Sequence, residues 1–223
     1  MEPHDYTLPV KYANGNRGHQ DRDLNFASQF SASYSFIKTQ SAYTVAVTID
    51  QQYTDEISAI ISNDGDDIYA SCTRYFTTID EWYHIIIEED FYNRLVNLRS
   101  APMADFSILV FTVYVLSQMY RQPHRQKGDL KQLYQTAKSM HSLLVSTGRG
   151  SIELVQSGLL LALFEHTQAL HNASFQTIGV CARMGYVLGI HRTLSPNTFP
   201  LAHHNEKDES QRLLWWGTIA LER

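Results

Sequence analysis

The chain has 223 residues, of which 43% are hydrophobic, so it is long enough to bury a substantial core in one helical domain with an additional flank. Its formal net charge at pH 7 is −5. This charge gives no overall positive field that would attract nucleic acid or an anionic membrane. The composition therefore favours a globular protein and argues against direct DNA binding by these residues.

Cysteine content and hydrophobic runs indicate the cellular compartment of the protein. The two cysteines, Cys72 and Cys181, have no partner at metal-ligand spacing, which favours a reducing compartment over a disulfide framework. Residues 1–30 lack an apolar run typical of a signal peptide. The most apolar stretch, residues 106–119, is shorter than the roughly 18 residues of a membrane span and predicts a buried helix. We expect neither export nor membrane association.

The N-terminal part is predicted to form a flank, residues 1–50. Residues 1–25 are polar and contain a turn-forming cluster, which indicates poor order. Apolar and polar residues alternate from Tyr43 to Ile49, a pattern that fits either a strand or extended coil. A helical domain is assigned to residues 51–223.

Helical periodicity and capping residues define the elements that follow. Thr54 and Asp66 are predicted N-caps, the latter of a helix ending at Phe76. A helix is expected from Glu88 to Leu98. The next is predicted to carry Pro102 in its first turn and to end near Tyr120.

Two capping-box patterns open later helices, at Asp129 and at Asp208. The first helix has an apolar stripe, and Lys138 within it is interpreted as part of a solvated basic stretch. Gly148 is predicted to take the left-handed conformation after this helix, and Ser151 to cap the next. Its stripe is expected to end at His166, and the stripe of a helix starting near Asn172 comprises Phe175, Ile178, Ala182 and Gly185.

Short turns between these helices predict an all-α fold, an irregular bundle of antiparallel helical hairpins with a poorly ordered N-terminal flank. The sequence shows no repeat of fixed period that would indicate a solenoid. The histidines lack convergent partners for a metal, and no nucleophile elbow, phosphate loop or dinucleotide motif occurs. We therefore assign no catalytic or metal-binding residue and no cofactor to this chain.

The last quarter of the chain contains two distinctive segments, Cys181–Arg192 and Asp208–Arg223. Together they resemble paired helices in the middle homology region, the helical regulatory domain of fungal zinc binuclear-cluster transcription factors. Segments that begin at Tyr75 and Gly150 are similar to earlier parts of the same domain, so the resemblance covers about residues 70–223. The motif residues that carry it are Arg183, Gly189, His191, Arg192, Arg212, Trp215, Trp216, Glu222 and Arg223.

This resemblance implies a nuclear regulator of transcription that is not an enzyme. It further implies contacts with protein partners or another copy of the chain, and a small-molecule effector as an alternative. In that family a separate N-terminal cluster of six cysteines binds zinc and contacts DNA. Two cysteines cannot supply such a cluster. Zinc and DNA binding are therefore expected only through a segment outside this sequence, and the chain resembles a truncated product or a piece of a longer regulator.

Two hypotheses concern particular residues. In the first, Glu222 accepts hydrogen bonds from Arg183 or Arg212 and locks two packed helices through a partly buried ion pair. One indole of the Trp215–Trp216 pair is expected in the core and the other at an edge. The rival hypothesis is a stand-alone helical enzyme or small-molecule binder whose pocket is built from Tyr186, His191, Trp215 and Trp216.

Overall fold

A computed structural model of the chain describes residues 49–120, 127–194 and 206–222. The predicted strand or extended segment lies outside the described residues except for Ile49, which opens a helix. Eight α-helices and two short 3₁₀ helices make up the described part of the chain, and no strand occurs within it, so the predicted all-α fold is confirmed.

The first four α-helices are α1 (Ile49–Asn63), α2 (Ile68–Phe76), α3 (Glu88–Val96) and α4 (Ala104–Ser117). A 3₁₀ helix, Gln118–Tyr120, extends α4. The remaining elements are α5 (Lys127–Ser146), α6 (Ile152–Thr167), α7 (His171–Val187), a second 3₁₀ helix (Ile190–Leu194) and α8 (Glu206–Glu222).

Two apolar helices, α4 and α6, form the centre of the bundle. Every residue of α4 except Asp105 is buried, and α6 is buried continuously from Leu154 to Glu165. A helix that is apolar on all sides must be covered on all sides, which explains why α1, α2 and α5 pack against α4. On α6 the main partner is α7, and α8 contacts both of these helices. None of the described helices combines the length and hydropathy required to cross a membrane.

The connection between α5 and α6 has the predicted signals for the end of one helix and the start of the next. Gly148 has a φ of +80°, and Ser151 caps α6 by accepting a hydrogen bond from the backbone N–H of Leu154. A Cβ at Gly150, just before α6, would lie 4.0 Å from Leu188, just after α7. The α6–α7 pair is therefore an antiparallel hairpin, as predicted.

Five predicted helix starts were wrong by a few residues. The helices expected to open at Asp129 and Asp208 begin at Lys127 and Glu206. Thr54 lies inside α1, where its hydroxyl donates to the Asp50 carbonyl and shares a hydrogen bond with Ser107. Asp67 caps α2 in place of its neighbour Asp66. Pro102 precedes α4, whose first backbone N–H, at Ala104, donates instead to the Asp50 carboxylate. At α2 and α4 a carboxylate from an adjacent residue or from another helix replaces the expected cap.

The buried face of α7 also differs from the prediction. Phe175 is 73% exposed, and Ser174, Thr177, Ile178, Cys181 and Gly185 are the buried positions. Small and polar side chains on this face let α7 approach α6 closely, so the larger phenylalanine points outward. His166 at the end of the α6 stripe is also exposed.

Candidate functional site

The two segments that carry the family resemblance meet at the end of α7. Gly189, with φ +77°, ends that helix and directs the chain into the 3₁₀ helix that contains His191. The ring of Tyr186 lies 4.7 Å from His191 and 5.2 Å from Trp215 between centroids. The predicted contact between α7 and α8 is therefore present, and Tyr186 forms one ring cluster with the motif residues His191 and Trp215.

The core below this cluster is apolar and tightly packed. Leu214 and Ile190 are 0% and 1% exposed, and a Cβ at Gly185 would lie 2.9 Å from the Trp215 indole. Trp215 is thus the indole that packs against the core. Trp216 is 54% exposed, because Leu214, Gly217 and Thr218 occupy the inward side of α8.

The predicted ion-pair lock is not formed. Arg212 lies 3.8 Å from Glu209 on its own helix, whereas Arg183 and Glu222 are exposed and make no ion pair within the described ranges. The physical reason is distance, since positions 212 and 222 lie about 15 Å apart along the α8 axis. Arg192 is exposed and has a polar or ring contact, and Arg223 lies outside the described residues.

Within the part of the chain that the structure describes, the side chains of the rival hypothesis do not surround a cavity. Tyr186, His191 and Trp215 pack their rings on one another, and Trp216 points elsewhere. Nδ1 of His191 is buried without a hydrogen-bond partner, which is the one unsatisfied polar atom found in this aromatic cluster. The cluster is therefore suited to fixing the α7–α8 geometry rather than to enclosing a ligand.

A half-open groove of about 340 Å³ lies elsewhere, between α3, α4, α6 and α8. At its rim the Arg94 guanidinium forms an ion pair with Glu153 and lies 4.2 Å from the Phe106 ring centroid. Sequence analysis missed this groove, because its residues come from four separate helices and from the segment just before α3. They are Ile86, Ile87, Asp90, Phe91, Arg94, Phe106, Leu109, Ile152, Glu153, Gln156 and Ser210.

A polar network inside the bundle joins α5, α6 and α7. The carboxylate of Glu165, which is 0% exposed, accepts hydrogen bonds from Tyr134 at 2.7 Å, Lys138 at 2.7 Å and Thr177 at 2.6 Å. Lys138 also donates to the Thr177 hydroxyl. The solvated role predicted for Lys138 was therefore wrong. A buried carboxylate with this many donors is satisfied, so the network stabilises the relative positions of three helices.

Neither cysteine is suited to nucleophilic chemistry. Burial raises the pKa of the Cys72 thiol and that of the Cys181 thiol to about 12, so both are protonated at neutral pH. Cys181 is instead a packing residue beside Gly158 and His141. Burial lowers the pKa of His141, whose Nε2 lies 2.9 Å from the Leu154 carbonyl oxygen. In the described parts of the chain, no cluster of three or more metal-ligating side chains occurs.

The comparisons with known proteins identify the family of the chain. Residues 72–223 match the family described as "Fungal specific transcription factor domain". The chain is also similar to Transcription factor BOA15 of Botryotinia fuckeliana (strain B05.10), with 27% identity over 132 residues that cover 59% of this chain and 72% of the relative. No solved structure matches the chain. The family match extends from α2 to the last residue, and the chain belongs to the fungal-specific transcription factor domain family.

Proposed function

We propose that this chain is a non-catalytic regulatory domain of a fungal nuclear transcription factor and that it controls transcription through contacts with protein partners. The observation that carries the proposal is the family match over residues 72–223. The name of the similar protein, a transcription factor, supports the same role. DNA binding is assigned to a zinc-cluster segment outside this sequence, since two cysteines cannot hold such a cluster.

The chemistry of the interior supports a non-catalytic role. The polar clusters described above, around Glu165 and around Arg94, are internally satisfied ion pairs or hydrogen-bond networks. The buried thiols are held protonated by their high pKa. A catalytic site would need a cleft with a poised base or nucleophile, and no such arrangement is found among the described residues.

Control by a small molecule is a weaker alternative. The groove beside Arg94 is at the lower end of the volumes usual for ligand pockets, and it is open to solvent. Its most prominent polar groups, Arg94 and Glu153, are already paired with each other. An effector would have to break that ion pair, whereas exposed apolar side chains are directly available to a protein partner.

A reporter assay tests the proposal. The full chain is fused to an unrelated sequence-specific DNA-binding domain in a fungal cell, and expression is measured from a promoter that carries its sites. The fusion is expected to change expression relative to the DNA-binding domain alone, with the protein in the nucleus. The control Gly158→Val, which overlaps Cys181 in the core, should abolish the change. Unchanged expression with an expressed, folded fusion would contradict the proposed function.

A further inference from the structure

The segment that builds α7 has an unusual charge distribution. From His166 to Asn205 the sequence contains no aspartate or glutamate, although the chain has 23 acidic residues. Two arginines, Arg183 and Arg192, are exposed within it. Within α7 itself, Arg183 is the one formally charged residue, so the exposed side of this helix carries a positive charge and no carboxylate of its own.

Two exposed aromatic rings lie on one side of this helix. Phe175 is 73% exposed and Tyr186 is 59% exposed. Positions 175, 179, 182 and 186 follow the spacing that places residues on a common helical face. Because Gly179 and Ala182 are small, they leave a shallow trough between the two rings, which are about 16 Å apart along the helix axis.

A guanidinium group lies over this trough. A Cβ at Gly179 would be 3.5 Å from Nη1 of Arg183, so the arginine side chain bends back toward the glycine. Arg183 makes no ion pair within the part of the chain that the structure describes. The Tyr186 ring is held by His191 and Trp215, so one end of the face is already ordered. We call Phe175, Gly179, Ala182, Arg183 and Tyr186 the α7 face.

We propose that the α7 face binds an acidic amphipathic helix of a protein partner. Apolar side chains of that helix contact Phe175 and Tyr186, and a carboxylate between them pairs with the Arg183 guanidinium. Aromatic and arginine side chains are the residues that interfaces favour and that contribute most to binding energy. This inference rests on the proposed function, because it names the class of partner through which the domain acts.

Charge and geometry favour this occupant over two others. A second copy that packed its own α7 face here in a symmetric dimer would bring the two Arg183 side chains into the same interface, which is electrostatically unfavourable. Single-stranded nucleic acid needs a row of cations and closely spaced stacking rings. The α7 face has one arginine between two rings that are too far apart to stack successive bases.

The test measures binding of a defined probe to the purified full chain. The probe is a fluorescein-labelled synthetic helix with leucines at three- and four-residue spacing and glutamates between them. The comparison peptide has every glutamate replaced by lysine. Fluorescence anisotropy is expected to show saturable binding of the glutamate peptide at least tenfold tighter than that of the lysine peptide, weakening as salt is raised.

Exposed positions allow matched variants. Arg183→Glu and Phe175→Ala are each expected to weaken binding roughly tenfold. Their controls, Arg99→Glu and Val96→Ala, change exposed residues of the α3 region and should bind like the parent. All four are checked for a parental circular dichroism spectrum and melting temperature. Equal binding of both peptides, or parental affinity in Arg183→Glu, overturns the inference.

Two further measurements distinguish the acidic helix from the other two occupants, and failure of the inference from failure of the proposed function. Sedimentation of the parent as a dimer that Arg183→Glu disrupts, or binding of a labelled single-stranded oligonucleotide in place of the glutamate peptide, overturns the acidic-helix assignment. The same variants are placed in the reporter fusion. If the parent changes expression and Arg183→Glu behaves identically, the α7 face fails while the proposed function stands. If the parent fusion has no effect, the proposed function fails. The peptide-binding measurements then still test whether the α7 face binds an acidic helix.

Discussion

Gly185 of α7 lies directly against the indole of Trp215 on α8: a Cβ added to the glycine would stand 2.9 Å from Cζ3 of the ring. This contact joins the two segments that characterise the C-terminal part of the domain. The ring cannot move freely, because Tyr186 and His191 also pack against it. The position therefore requires the smallest residue.

The first prediction concerns this contact. Gly185→Ala gains about 1 kcal/mol of helix propensity but forces the Trp215 ring out of its place. We expect a net loss of about 1–2 kcal/mol in the free energy of unfolding, measured by urea denaturation. The matched control is Gly179→Ala on the same helix, where the nearest atom would be 3.5 Å away. That variant should be neutral or up to about 1 kcal/mol more stable. Equal stability changes in the two variants would contradict the close packing.

The second prediction concerns Gly158 of α6, which is packed against its neighbours even more closely than Gly185. A Cβ there would overlap Sγ of Cys181 and lie 3.1 Å from Nε2 of His141. Gly158→Ala is expected to cost about 3 kcal/mol, since neither neighbour is at the free end of an exposed side chain. The double variant Gly158→Ala with Cys181→Ala removes the overlapping sulfur. A double-mutant cycle should therefore show a favourable coupling of about 1–3 kcal/mol, and purely additive effects would contradict this geometry.

The buried helix α4 and the helix boundaries at Gly148 and Ser151 could be predicted from sequence, because they depend on local residue patterns. The unbroken apolar run of α4 indicated a buried helix, and Gly148 and Ser151 marked the end of one helix and the start of the next. The orientation of Trp215 and Trp216 could be predicted only in part. Adjacent residues on a helix point about 100° apart, so periodicity showed that one indole would be buried without deciding which.

Contacts between distant parts of the chain could not be predicted from local sequence patterns. The Arg94–Glu153 pair and the groove beside it join helices whose order along the chain does not reveal their contact. The lock predicted for Glu222 failed for the same reason: the two arginines were assigned to it from helix pairing alone. In the structure one of them, Arg212, finds a nearer carboxylate on its own helix, at Glu209.

The third prediction tests the buried polar network. Glu165→Gln removes the charge that faces Lys138 and leaves the ammonium group with only hydroxyl and amide partners. We expect a loss of about 2–3 kcal/mol, which is less than for a fully buried pair because the Lys138 side chain is 29% exposed. Glu153→Gln, which alters the more exposed pair with Arg94, should cost less than about 1 kcal/mol. Chemical denaturation of both variants measures the difference, and equal losses would argue against the network.

The fourth prediction is a pH dependence that arises from His141. Burial holds its folded-state pKa below the ordinary value of 6.5, so the unfolded chain binds more protons once the pH falls below that value. Stability is therefore fully present above pH 6.5 and decreases below it, by up to about 1.4 kcal/mol per pH unit until the folded-state pKa is reached. His141→Gln should remove this contribution. The two proteins are compared by denaturation from pH 8 to 5, and parallel curves would exclude His141 as the source.

The fifth prediction concerns α1, which lies before the residues that match the family. Ile57 is 1% exposed and belongs to the same hydrophobic core as α4. Asp50 at the start of this helix also binds the Ala104 backbone N–H and the Arg149 guanidinium. We therefore expect α1 to unfold together with the rest of the bundle rather than separately.

Ile57→Ala should accordingly cost about 3 kcal/mol and lower the unfolding transition of the whole domain, because it leaves a cavity against α4. Val96→Ala, at a position that is 70% exposed, should change stability by less than about 0.5 kcal/mol. Urea unfolding followed by tryptophan fluorescence, in a Trp82→Phe background that removes the third tryptophan, reports on the C-terminal half, where Trp215 and Trp216 lie. A parental midpoint for that signal in Ile57→Ala would mean that α1 is energetically separate from the matched domain.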